Sequence, residues 1–252
     1  MRRRTRATAA KTVSVKRYAL FLTVAFVACS SSPQSYSTTV GFLKPGAVMT
    51  VNIDSGVLNA FKPAESDPSN KYTITATAPA GASPPPAPTT RANGSGIIVD
   101  ASGKLANLLV RVPQGVELVV HSKSGNVNVT DISGRVDVHA DNGDVKIMVA
   151  GVAQATTMNG SIDLTMGTTS WQGTLHDSAN AGDVTVYIPA PASFHARLHT
   201  DNGTLFTDFG LTGTSHGSNE TIDAPVNGGG ASGVDIESRH GTVRLLRLTP
   251  QA

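Results

Sequence analysis

The sequence predicts an all-β protein: a β-solenoid, built like a single-stranded β-helix from short repeated strands, with about nine residues in each strand-turn unit. Apolar and polar residues alternate at period two over successive short segments, the pattern of a strand with one buried face. From residue 115 onward, glycines recur at 125, 134, 143, 151, 160, 173 and 182, close to multiples of nine. Beyond the N-terminal stretch, no segment holds a helical period over ten residues.

Residues 1–28 read as a lipoprotein signal peptide and stand outside the fold. Arg2, Arg3, Arg4, Arg6, Lys11, Lys16 and Arg17 form a basic start without an acid, and the apolar run YALFLTVAFV follows at 18–27. Ten apolar residues fall short of the roughly 20 that a membrane span needs. The run closes on Phe26-Val27-Ala28-Cys29, which resembles the lipobox of bacterial lipoproteins, with Phe26 standing where Leu, Val or Ile is usual. That resemblance implies cleavage before Cys29, lipidation of its thiol, and attachment of the mature chain to a membrane of the cell envelope by two or three acyl chains. Cys29 is the single cysteine, so an intramolecular disulfide is excluded. Loss of the signal also reverses the charge. Seven of the 20 basic residues leave with it, so 13 remain against 18 acidic ones, a net of −5. Such a chain carries no electrostatic footprint for nucleic acid.

Residues 29–40 are Ser-rich and read as a tether. Residues 41–252 then form the solenoid domain, interrupted by a Pro-rich surface loop at 79–96, PAGASPPPAPTTRANGSG, whose prolines cannot donate to a sheet. Alternating segments at 48–53, 97–99 and 108–112 flank the loop as strands. Further on, the apolar pairs Val127/Val129, Val136/Val138, Val145/Ile147, Ile162/Leu164, Val184/Val186 and Val243/Leu245 stand two and four residues after a glycine. Each pair is the buried side of one strand. The turns lie at Gly125, Gly134, Gly143, Gly160, Gly182, Gly203 and Gly241, where glycine and a preceding Asn, Asp or Ser tolerate positive φ. Two units make a coil of about 18 residues, and each strand is expected to stack in parallel on its predecessor. An antiparallel meander with Asn-Gly hairpins is the competing architecture, and the even spacing favours the solenoid.

The stretches VPQGVELVVHSKSGNVNVTDISGRVDVHADNGDV and DVTVYIPAPASFHARLHTDNGTLFTDF carry a resemblance to a known family. A strand ending in Val-Pro or Ile-Pro, a short turn, a strand and then Ser/Asn-Gly-x-Val appear at Arg111-Val112-Pro113-Gln114-Gly115, at Tyr187-Ile188-Pro189-Ala190-Pro191, at Ser124-Gly125-Asn126-Val127 and at Asn142-Gly143-Asp144-Val145. Over roughly residues 48–248 the chain resembles an adhesin family of bacterial envelope proteins, a domain of unknown function related to the auto-transporter adhesin head (GIN) domain. The resemblance implies a β-solenoid far more firmly than an activity.

Two strings, HADNGDV at 139–145 and HTDNGTL at 199–205, raise the question of a duplicated site. His121, His139 and His199 each precede a turn glycine by four positions, so they share one register of the repeat, and stacking places His121 and His139 about 5 Å apart. Zinc needs three or four convergent ligands. No closed set is visible; the expectation is outward-facing histidines, with Asp141 and Asp201 bonding amides of their own turns. Calcium binding by a nonapeptide solenoid needs a repeated Gly-Gly-x-Gly-x-Asp, whereas the string at 229–235 has one residue too many and occurs once. Glycoside hydrolysis needs two carboxylates about 5 to 10 Å apart, for which Trp171, His176, Asp177 and Asp183 are the best local cluster. Trp171 also stands where a core residue is due. No nucleophile, P-loop, dinucleotide or zinc-protease signature appears, and no cofactor is implied. The expected function is a lipid-anchored, non-enzymatic, adhesin-like module for binding or scaffolding, its partner an envelope protein or polysaccharide. The alternative is a periplasmic carbohydrate-acting or metal-binding β-helix.

Overall fold

In a computed structural model, residues 36–78 and 85–248 are described, and every regular element among them is a strand. In chain order these are β1 (Tyr36–Phe42), β2 (Val48–Ser55), β3 (Leu58–Phe61), β4 (Lys71–Thr77), β5 (Thr89–Asn93), β6 (Gly96–Leu105) and β7 (Asn107–Arg111). Next come β8 (Glu117–Ser124), β9 (Val127–Thr130), β10 (Val136–Asn142), β11 (Val145–Val149), β12 (Ala153–Asn159), β13 (Ile162–Met166), β14 (Gly173–Ala181) and β15 (Val184–Pro189). The last are β16 (Phe194–Asn202), β17 (Leu205–Thr207), β18 (Thr214–His216), β19 (Asn219–Val226), β20 (Ser232–His240) and β21 (Val243–Leu248).

They form two sheets packed face to face. Sheet I has ten strands in the order β1-β4-β7-β3-β9-β11-β13-β15-β21-β17, and sheet II has eleven in the order β18-β19-β16-β20-β14-β12-β10-β8-β2-β6-β5. Each coil gives one strand to each sheet, and alternate side chains point between them. The inward row Val120, Val138 and Ala155 is in register across β8, β10 and β12, and Val129, Ile147 and Leu164 across β9, β11 and β13. All six side chains are buried. Stacking equivalent apolar residues one coil apart is what the nine-residue period encodes, and the chain is a β-solenoid.

The parallel stack follows chain order without a break only from β8/β9 to β14/β15. At the N-terminal end β6/β7 lies outside β2/β3, while β8/β9 packs on the other side of β2/β3. At the C-terminal end β20/β21 inserts between β14/β15 and β16/β17. The expectation that each strand stacks on its predecessor therefore fails at both ends. Antiparallel strands finish them: β1 and β4 in sheet I, β5, β18 and β19 in sheet II. Capping of this kind limits the unpaired edge that a regular solenoid would leave.

Two boundaries differ from the sequence reading. The tether expected at 29–40 gives way at Tyr36 to β1, paired with β4; its Ser/Thr content masks a strand whose backbone bonds are supplied by a neighbour 29 to 41 residues on, from Phe42↔Lys71 to Tyr36↔Thr77. The loop expected at 79–96 gives way at Thr89 to β5, which is exposed throughout and so shows no apolar alternation. Its partner is β6, through the turn at Gly94. The signal segment, Cys29 and residues 79–84 lie outside the described residues.

The turns at one corner form a ladder of their own. Gly56, Gly125, Gly143, Gly160 and Gly182 stack so that a Cβ on each would meet a backbone atom of the adjacent coil within 1.9–2.4 Å. Gly203, Gly241 and Gly134 meet the same close approach, to the carbonyls of Gly241, Gly182 and Val116, without a left-handed φ. Beside this stack, the side chains following Gly125, Gly143 and Gly182 accept an amide of the next coil: Asn126 from Asp144 N, Asp144 from Ser161 N and Asp183 from Thr242 N, at 2.8–3.1 Å. The capping acceptors therefore follow the glycine. Asp201, which precedes its glycine, accepts instead from His199 and Asn219.

Candidate functional site

The outer face of sheet II gathers most of the sequence's histidines. Register across the strands aligns Asn52, His121, His139, Thr156, Ser178, Glu237 and His199 in one row, running across the sheet. The imidazoles of His121 and His139 stack with centroids 5.4 Å apart and planes at 10°. Burial and the neighbouring His139 both hold the His121 pKa below its usual value, against the opposing pull of Asp137. His139 Nδ1 lies 2.7 Å from Thr156 Oγ1, and its Nε2 lies 3.2 Å from Asp137 Oδ1.

This arrangement does not converge on an ion. Ring nitrogens lie in the ring planes, so parallel stacked rings direct their lone pairs side by side. His199 sits four strands from His139 in sheet order, about 19 Å away at the usual strand spacing. It is engaged by Asp201 at 3.0 Å and Thr221 at 3.3 Å. Among the described residues, no group of three His, Cys, Asp or Glu side chains is placed to hold a metal. Thermal melts with and without zinc are accordingly expected to coincide within about 1 °C, and His139→Ala to cost no more than about 1 kcal/mol. A zinc-dependent rise in melting temperature that disappears in the His121→Ala/His139→Ala variant would overturn this reading.

The carboxylate cluster considered for glycan hydrolysis is dispersed. Trp171, 9% exposed, packs in the core with its ring 5.5 Å from Phe194 and its Nε1 donating to Gly233 O at 3.0 Å. His176 is on the outer face, 3.4 Å from Asp235. Asp177 points between the sheets and is fully buried. Asp183 caps a turn and pairs with Arg244 at 2.9 Å; the Thr242 amide and this guanidinium hold its pKa below the usual carboxylate range.

What the sequence did not reveal is a trough over β10, β12, β14 and β20. Its volume is 460 Å³, and Asp141, Met158, Ser178, Asn180, Glu237 and Arg239 are among its walls. A second depression of 300 Å³, walled by Asn52, Asp54, His121 and Lys123, shares His139 and Asp141 with the first. Lys123 and Asp54 form an ion pair at 2.8 Å across it. The missed residues were legible singly, as polar members of alternating strands. Their assembly was not, because β20 reaches β14 across 59 residues of chain, as in Asp177↔Ile236.

Two parallel-rich sheets wound as stacked coils, with a polar outer face, define the class as a β-solenoid. The Toastrack DUF4097 family matches residues 96–246, more than half of the sequence, and the chain belongs to it. No curated protein matches the chain. Solved structures similar to it include a candidate cell adhesion protein from Clostridium sporogenes, at 11% identity and TM-score 0.43, covering 85% of this chain and 100% of that one. Another is a candidate adhesin from Bacteroides fragilis, at 10% identity and TM-score 0.32, covering 86% and 99% of the two chains. A third, from Parabacteroides merdae and likewise a candidate adhesin, has 10% identity and TM-score 0.25, covering 85% and 97%.

Proposed function

We propose that the protein is a lipid-anchored, non-enzymatic component of the bacterial cell envelope, an adhesin-like module that presents the outer face of sheet II to an envelope partner. One observation carries this reading: Ser178, Asn180, Glu237 and Arg239 stand together on an open outer face, whereas Asp177, His176 and Asp183 of the suspected hydrolytic cluster are scattered between core, face and turn. Parallel ladders in both sheets fix that face, so little ordering cost attends binding to it.

The anchor is supported by the basic start, the short apolar run and the single Cys29 after Ala28. Only residues 30–35 separate Cys29 from β1, a reach of at most about 20 Å. Such a tether holds the solenoid close to the bilayer, where the face meets envelope material and not distant ligands. Intact-mass analysis of the mature protein is expected to show acyl modification at Cys29, and Cys29→Ser to leave uncleaved or unanchored product. An unmodified Cys29 on a mature N-terminus in the membrane fraction would refute the anchor.

A further inference from the structure

Four side chains in the 460 Å³ trough, Ser178, Asn180, Glu237 and Arg239, make no hydrogen bond or ion pair with the rest of the described protein. Their neighbours are committed: His139 to Thr156 and Asp137, and Lys123 to Asp54. Glu237 and Arg239 stand two residues apart on one face of β20, yet they do not pair. The trough therefore offers a free carboxylate, guanidinium, amide and hydroxyl, all aimed outward from rigid strands. Besides the buried Ala140 and Ala179, its apolar side chain is Met158, which is 56% exposed.

We propose that this trough binds a segment of a linear, uncharged polysaccharide. The inference rests on the reading of the protein as an envelope-binding module and names the class of its partner. Vicinal hydroxyls both donate and accept, so they satisfy a carboxylate and a guanidinium or amide together, while Met158 meets the C–H face of a sugar ring. A protein partner would require a more apolar, aromatic-rich centre than one methionine supplies. Nucleic acid would require several cations and stacking aromatics. Here Asp141 and Glu237 stand against the single guanidinium of Arg239, which disfavours any polyanion.

Repetition strengthens the match. The trough crosses the strands, so equivalent positions recur about every 4.8 Å, close to the rise of an extended glycan. Beyond His139 and Asp141 the line continues into the second depression. From β20 to β2 the sheet order gives five strand spacings, about 24 Å in all. A chain of several sugars fits that length, whereas a single small molecule would leave most of it empty.

The test uses detergent-solubilised mature protein and detergent-washed envelope fragments from the producing cell, sedimented either untreated or after exhaustive protease digestion, which leaves the polysaccharide. Binding is expected to survive digestion and to fall at least tenfold in Glu237→Ala/Arg239→Ala. Lys146→Ala, on the outer face of sheet I, is the control and should bind as wild type. Binding lost on digestion would show a protein partner and overturn the proposal, as would undiminished binding by the double variant. Absence of binding even to untreated fragments would overturn the envelope-binding reading itself.

Discussion

Gly143→Val is expected to destabilise the protein by about 3–5 kcal/mol, at the upper end of single-substitution effects. Gly143 has φ 129°, a region essentially closed to β-branched residues. Its hypothetical Cβ lies 2.4 Å from the carbonyl oxygen of Gly125 and 2.7 Å from its carbon, both backbone atoms that no rotamer change moves. Relief requires the coils to part. That strains the bonds from Gly125 N to Asn142 O at 2.9 Å and from Gly143 N to Asn159 O at 2.8 Å, each worth about 1 kcal/mol net. Because solenoid stability is approximately a sum over nearest-neighbour interfaces, a break at mid-stack also uncouples the two halves. Urea unfolding of Gly143→Val beside His139→Ala separates turn from site in the twin HxDNG strings. Equal costs for the two variants would mean that the glycine stack does not hold the coils together.

The same contrast shows what the sequence made legible. Period-two alternation named the inward residues, since Val136, Val138, Val145 and Ile147 all lie in the core. The glycine spacing named the coil, and the shared register of His121 and His139 became a ring stack at 5.4 Å. Where neighbours in space are close in sequence, as from β8 to β15, one period carries all the information. It fails where the next coil is not the next neighbour. Nothing in residues 232–248 announces that β20/β21 inserts before β16/β17, since any outward-alternating strand fits either position. Assembly of Glu237 and Arg239 with Met158 and Asn180 depends on that insertion. Trp171 was legible as a packing residue because it stands where a core residue is due, whereas the burial of its neighbour in the suspected cluster, Asp177, was not. A carboxylate in a Ser- and Asn-rich run reads as exposed loop, yet β14 turns it inward.

That inward carboxylate makes stability depend on pH. Asp177 is fully buried in register with Ile236; its Oδ1 accepts the Ala155 amide at 2.8 Å, and its Oδ2 has no partner. Burial pushes its pKa up from 3.8 to about 7, with Asp137 adding to the rise and the Ala155 amide opposing it. The folded protein thus holds this proton more tightly than the unfolded chain. Its stability is fully present below about pH 4 and is lost as pH rises through 7. Above that, the ionised form costs about 4 kcal/mol. Asp177→Asn keeps a carbonyl acceptor for Ala155 and removes the charge, although its amide N–H groups must find partners in the core, at a cost of about 1–3 kcal/mol. Near pH 4.5 the variant is therefore expected to be no more stable than wild type, and at pH 8.5 to be more stable by at least about 1 kcal/mol. Every other titratable group is common to both proteins, so the difference between the two unfolding curves isolates Asp177. Parallel stability profiles from pH 4.5 to 8.5 would show that the carboxyl is ionised at no cost, and hence that it reaches water or a partner that the buried position between the sheets does not provide.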